Sequence, residues 1–342
     1  MLCRYRIINQ DMKNRTKRKI YVAIFVSILL IVLAGGRQVV NSIFSGKKAL
    51  AESSESLANA TRPPQFLYEF NGSNQKFKSP LAVTTSTEGK IFVADTGHSQ
   101  IQVLSSRGEW EKDFGRGSLV YPTGLAFFEQ KLYVSDPQAQ KIFIYQENGE
   151  ELPALLEHQR LILKDGKPGQ FIRPSNIQVS SDHLFYITDI ANQCVVVLDQ
   201  QGKILRSFGS PGTADGQFNY PNALFIDKDN KIYVSDSNNA RLQIFNSEGE
   251  FLTKITGSNG KLGAMTLPRG VAVNDQGQIY VVDVFSNSVR VYDETGYELW
   301  VLGGMGSNQG QFNFPNGICI DNKGLIYITD RENNRIQVFG YK

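Results

Sequence analysis

The chain repeats itself, and the phase of the repeat leaves few folds open to it. The stretch "FNYPNALFIDKDNKIYVSDSNNARLQIFNSEGEF" (218–251) returns as "FNFPNGICIDNKGLIYITDRENNRIQVFG" (312–340). A proline opens a short apolar strand at Pro80, Pro122, Pro174, Pro221, Pro268 and Pro315, with gaps of 42, 52, 47, 47 and 47 residues. An aspartate closes the next strand at Asp95, Asp136, Asp189, Asp236, Asp283 and Asp330, 15 residues on in five units and 14 in the second. A hairpin glycine follows at Gly108, Gly149, Gly202, Gly249 and Gly296. Three markers in fixed phase at this period are the signature of a repeat architecture.

Each unit reads as four strands joined by tight turns. In the fourth unit they fall at about 223–226, 231–235, 241–245 and 251–255, with "DKDN" and "NSEGE" as the turns. The second strands are apolar on both faces, which suits a blade packed between two others. Their aromatics, Phe92, Tyr133, Tyr186, Tyr233, Tyr280 and Tyr327, are read as inter-blade packing. A composition with 31 Gly, 21 Phe and 14 Tyr fits many short strands and turns.

Six such units make a six-bladed β-propeller, and the quoted segments resemble NHL repeats over about residues 65–342. The resemblance implies an all-β fold and leaves activity open, because one fold hosts many functions. The family's D-x-x-N-x-R loop is matched by Asp236, Asn239 and Arg241 and by Asp330, Asn333 and Arg335; Gln100, Lys141, Cys194 and Ser288 replace the arginine elsewhere. The sixth unit shows three strands up to Phe339. Phe66–Phe70, an apolar strand followed by "NGSN", is expected to supply the fourth and close the ring.

Ahead of the repeats, charge separates the chain into segments. Residues 1–61 carry ten Lys/Arg and three Asp/Glu; the rest carries 26 and 30. Residues 1–19 form a basic segment, 20–36 an uncharged apolar stretch, and 37–64 a small, polar stalk. An apolar stretch of this length behind seven basic residues reads as a single transmembrane helix, an uncleaved signal anchor favoured over a cleaved signal. The basic flank then stays in the cytoplasm and the propeller is extracytoplasmic at the cell membrane.

Chemistry-bearing residues are sparse. His98, His158 and His183 lie in separate loops, Cys194 and Cys319 in opposite blades, and no calcium-loop pattern occurs. The recurring aspartates are expected to cap the loops that follow them. No metal or cofactor is expected, and no catalytic residue is assigned. The acidic repeat region and its outward placement argue against nucleic acid.

The start of each first strand and the loop after each second strand share the face around the channel mouth. The candidate ligand-binding residues there are Thr123, Ser175, Asn222, Arg269 and Asn316 after the prolines, Tyr121, Arg173 and Tyr220 before them, and Phe285. Such a set suits a peptide, a carboxylate-bearing ligand or a saccharide; the aromatics equally suit packing between blades. Arg269 either meets a ligand anion or bridges to Glu332. The insertion after Glu157 offers Arg160, Leu161, Ile162, Lys164 and Lys167 as a partner-binding ridge, or as a cover for its own blade. The expected function is a membrane-anchored, non-catalytic binding or scaffold module for a protein, peptide or envelope component. The alternative, drawn from the resemblance, is a channel-mouth lyase or hydrolase.

Overall fold

The computed structural model describes residues 62–72, 75–162, 166–257 and 263–341. The chain forms two units, Met1–Arg62 and Pro63–Lys342, and the second is described here. The expected basic segment, anchor and nearly all of the stalk, with Lys164 of the insertion, lie outside the described residues. Among the described residues no helix is long and apolar enough to cross a membrane.

Six four-stranded antiparallel sheets form a six-bladed propeller. Blades 1 to 5 run in chain order, from Ala82–Phe114 to Pro268–Gly303, and their first strands touch in a closed cycle with that of blade 6. Blade 6 takes three strands from Pro315–Gly340 and its outer strand from Gln65–Phe70. That strand pairs antiparallel with Arg335–Gly340, from Gln65 opposite Gly340 to Phe70 opposite Ile336. Phe66 packs edge-on against Phe339, and Glu69 meets Arg335 at 2.8 Å.

The core is divided into six apolar clusters, one at each seam between blades. The second-strand aromatics carry it: Tyr186 packs with Leu224 of the next blade, Tyr280 with Ile326, and Tyr327 with Val83. Each buried side chain of this size contributes about 1.5–3 kcal/mol.

Hydroxyls at the end of the second strands tie one blade to the next. Ser135 donates to the Ser175 carbonyl, Thr188 to that of Asn222, Ser235 to that of Arg269 and Thr329 to that of Leu81. Ala94 and Val282 hold this position in blades 1 and 5, and Thr96 compensates in blade 1 by donating to the Pro122 carbonyl. First strands approach closely at the axis because glycine stands there. A Cβ on Gly270 would lie 2.6 Å from the Asn316 carbonyl oxygen, and one on Gly317 2.5 Å from that of Leu81.

The recurring aspartates correct one expectation. They are fully buried, but the loop they hold in all six blades is the one entering the first strand. In blades 3 to 6 the aspartate faces the proline across the antiparallel pair, as Asp236 faces Pro221. Proline has no N–H to give the ladder. The carboxylate therefore reaches past it to backbone N–H groups just upstream, such as Asn219 at 2.7 Å and Asn313 at 2.7 Å. Among the described residues only Asp136 and Asp189 also accept backbone N–H groups of the following loop, from Gln138 and Ala139 and from Ala191 and Asn192, while Asp236 and Asp330 accept the side-chain amides of Asn239 and Asn333 there. In blades 1 and 4 that loop is a 3-10 turn with no side-chain cap.

Candidate functional site

The channel narrows to a cavity of about 220 Å³ walled by the first strands, including Thr84, Thr123, Asn176, Asn222, Asn316 and Cys319. Its wall mixes amide and hydroxyl side chains with apolar ones and carries no charge. Burial pushes the Cys319 thiol up to about 11, so it stays protonated near neutrality.

Arg269 stands at the mouth of this channel because of local backbone chemistry. Pairing of the first strand slips between Pro268 and Val271. The bulge takes Arg269 out of the ladder and re-aims its side chain. Asn222 and Asn316 occupy equivalent slips after Pro221 and Pro315. The Arg269 guanidinium lies over the Tyr220 ring, 5.2 Å from its centroid. Burial is the main influence lowering its proton affinity; Tyr220 opposes that effect and the like charge of Arg331 adds to it. It remains a cation, since arginine starts so high. Of the two roles read for Arg269, the bridge to Glu332 is not made among the described residues; Glu332 pairs with Arg331 at 2.8 Å.

Tyr220 and Phe314 are held in left-handed backbone conformations, φ 61° and 52°, directly before their prolines. Non-glycine residues rarely sit there, and such positions persist where surroundings fix them. Here the preceding blade supplies the clamp: the Gln193 side chain accepts the Tyr220 N–H, and Asn287 accepts that of Phe314 at 2.8 Å. Gln193 and Asn287 are themselves left-handed, φ 55° and 52°. The two aromatic rings are thus placed by pairs of matched loops.

The remaining candidates divide. Tyr121 and Arg173 are exposed, and Arg173 donates to the Pro137 carbonyl across a seam at 3.3 Å. Phe285 is 61% exposed and meets Phe314 edge-on with centroids 6.3 Å apart. Ser175 is a correction: it is buried, its carbonyl accepts from Thr123 and Ser135, and its hydroxyl accepts from Asn222. It is a seam residue whose side chain faces its neighbours.

The insertion is a small hairpin, Arg160–Ile162 with Pro168–Phe171, beside the mouth. Arg160 stacks on Phe171 at 4.0 Å and Ile162 is exposed. Leu161 takes the second of the two roles read for the insertion, since it points inward and packs in the cluster between blades 2 and 3. Alternation along a strand sends neighbours to opposite faces. Two mouth residues escaped sequence reasoning, Arg331 and the 75% exposed Met305. Met305 lies in a glycine-rich loop with no strand pattern to mark its direction.

The NHL repeat family matches residues 218–245, 265–292 and 312–339. Among known proteins, protein brain tumor of Drosophila melanogaster is 31% identical over 153 residues, which are 41% of this chain and 13% of that protein. Virginiamycin B lyase of Staphylococcus aureus superposes with a TM-score of 0.59 at 18% identity, over 80% of this chain and 99% of the lyase. An auxiliary nutrient binding protein of Bacteroides thetaiotaomicron superposes with a TM-score of 0.61 at 15% identity, over 81% of this chain and 76% of that one. Likeness at such identities speaks for the fold alone. The chain is a six-bladed β-propeller, and it carries NHL repeats.

Proposed function

We propose that this propeller is a non-catalytic binding module whose mouth receives an anionic group of a protein, peptide or envelope component. The observation that carries this reading is Arg269. It is a half-buried cation stacked on Tyr220 at a concave mouth, and among the described residues no carboxylate pairs with it. A guanidinium so placed keeps donors beyond its contact with Tyr220 for an anion. The uncharged stretch 20–36 behind a basic flank supports anchoring at the cell membrane with the propeller extracytoplasmic.

The competing reading is a lyase or hydrolase at the same mouth. Metal-assisted chemistry needs a converging ligand set. Among the described residues no group of three or more His, Cys, Asp or Glu side chains could hold a metal ion, which favours binding. Elemental analysis of the purified full-length chain separates the two. Stoichiometric zinc or calcium would overturn the binding reading, and a metal-free protein that retains a partner supports it.

A further inference from the structure

The mouth face is electrically lopsided in a way that ring symmetry does not require. Over blades 1 to 3 it carries Lys76, Lys78, Arg116, Arg160, Lys167 and Arg173, all exposed. Among the described residues, Lys76, Lys78, Arg160 and Arg173 make no ion pair, while Arg116 has Asp113 at 3.8 Å. Beneath them lie Asp95, Asp136 and Asp189, fully buried and occupied by hydrogen-bond donors. Three enclosed carboxylates, with Asp113 beside Arg116 and Glu157 beside Lys141, weaken the surface field of six exposed cations without cancelling it. Over blades 4 to 6 the same face has Asp215, shared by Arg241 and Lys254, and the Arg331–Glu332 pair. What stands out there is apolar: Phe285, 61% exposed, and Met305, 75% exposed, at one seam with Phe314 between the blades.

The opposite face shows what charge looks like when folding accounts for it. Asp199, Asp227, Asp293 and Asp321 each accept two backbone N–H groups of their own hairpin turn. Among the described residues the ammonium groups of Lys76 and Lys78 hold no turn in this way, while Arg116, Arg160 and Arg173 hold Gln100, Gly169 and Pro137 and keep their charge at the surface. The exposed Phe285 and Met305 cost solvation.

We infer that the mouth receives an extended polypeptide segment with two unlike halves, an acidic run over blades 1 to 3 and an apolar anchor beside Phe285 and Met305, with Arg269 between them. This rests on the binding reading above. Charge complementarity selects the acidic half, and its restriction to half of the face selects a peptide. A nucleic acid or other uniform polyanion would lay its phosphates across the apolar half as well, against Asp215 and Glu332. About a dozen extended residues span about 40 Å, which sets the length of a probe.

The test uses the full-length chain in zwitterionic nanodiscs and a fluorescent twelve-residue peptide, six glutamates followed by a segment containing Leu and Phe. Anisotropy is read at low and at high salt. The parent should bind the probe and should not bind a probe with lysines in place of the glutamates. Lys76→Glu with Lys78→Glu should weaken binding about tenfold at low salt, an effect that high salt removes. Phe285→Ala with Met305→Ala should weaken it about fivefold at both salts. An oligonucleotide of matched charge that binds more tightly than the peptide would overturn the inference. Equal binding by all variants would also overturn it. If the paired variants bind as the parent does while Arg269→Ala loses the probe, the mouth remains a site and only the two-halved ligand fails. If Arg269→Ala also binds as the parent does, the binding reading itself fails.

Discussion

Arg290 Nε meets Asp283 Oδ2 at 3.0 Å, and it does so from a strand position two residues beyond the one used in blades 4 and 6. There Arg241 and Arg335 reach Asp236 and Asp330 at 2.7 Å, and the later position holds Gln243 or Gln337. Blade 5 therefore keeps the ion pair although Ser288 has replaced the arginine of the repeat. Arg290 is fully buried and also binds Glu298 at 3.3 Å and the carbonyls of Gly263 and Ala264.

Removing it should be severe. Arg290→Ala leaves two buried carboxylates with one fewer countercharge, a loss of about 3–5 kcal/mol. Chemical denaturation of the parent and variant measures this. A loss below about 1 kcal/mol would mean that water or a shifted proton replaces the guanidinium.

Ring closure gives a second expectation. Deleting residues 62–70 strips the outer strand from blade 6, bares the Arg335–Gly340 edge and frees Arg335 from Glu69. An open edge invites pairing with other chains. Light scattering on warming should show aggregation of the deletion well below the parent's melting temperature. A deletion that stays monomeric and melts with the parent contradicts the closure.

How much of this was legible in the sequence follows from what marks a position. Pro221 and Asp236 are visible because their backbone duties are fixed, so blade count and phase could be read directly. The partnership of Gln65–Phe70 with the last blade was legible for the same reason, as a strand without a unit. The inward turn of Ser175, and the choice between ridge and cover for Leu161, were not legible because strand register and one-residue alternation, not residue type, decide which face a side chain takes. Arg290 was hidden by a two-residue displacement within a strand. Met305 and Arg331 sit in loops, where no period reports direction.

The seam hydroxyls should contribute individually. Thr188→Val keeps the shape and leaves the Asn222 carbonyl without its hydroxyl donor, at a cost of about 1–2 kcal/mol. Val282→Thr, at a seam lacking this bond, should be neutral or slightly stabilising. Melting curves of both distinguish a shared seam device from coincidence, and a destabilising Val282→Thr paired with a silent Thr188→Val would reject it.

Alkaline behaviour follows from the inter-blade tyrosines. Burial raises the phenols of Tyr133, Tyr186, Tyr233, Tyr280 and Tyr327 above their ordinary value of 10.0. A group raised in the fold holds its proton where the unfolded chain has lost it. Its contribution is therefore intact below pH about 10 and is lost as pH climbs toward the folded value. Stability should be unaffected by these groups between pH 7 and 9 and should fall beyond pH about 10. The tyrosinate absorbance should then rise in step with unfolding, and a gradual rise in a protein still folded would contradict the packing described.

The central claim is that Arg269 serves a ligand and not the fold. The most direct measurement compares the parent with Arg269→Ala for retention of the partner captured by the full-length chain, and melts both proteins. If Arg269 pairs with a ligand anion, binding should weaken by about 1.5–3 kcal/mol while the melting temperature stays nearly unchanged. A variant that melts lower yet holds its partner as tightly as the parent would make Arg269 structural and place the site elsewhere.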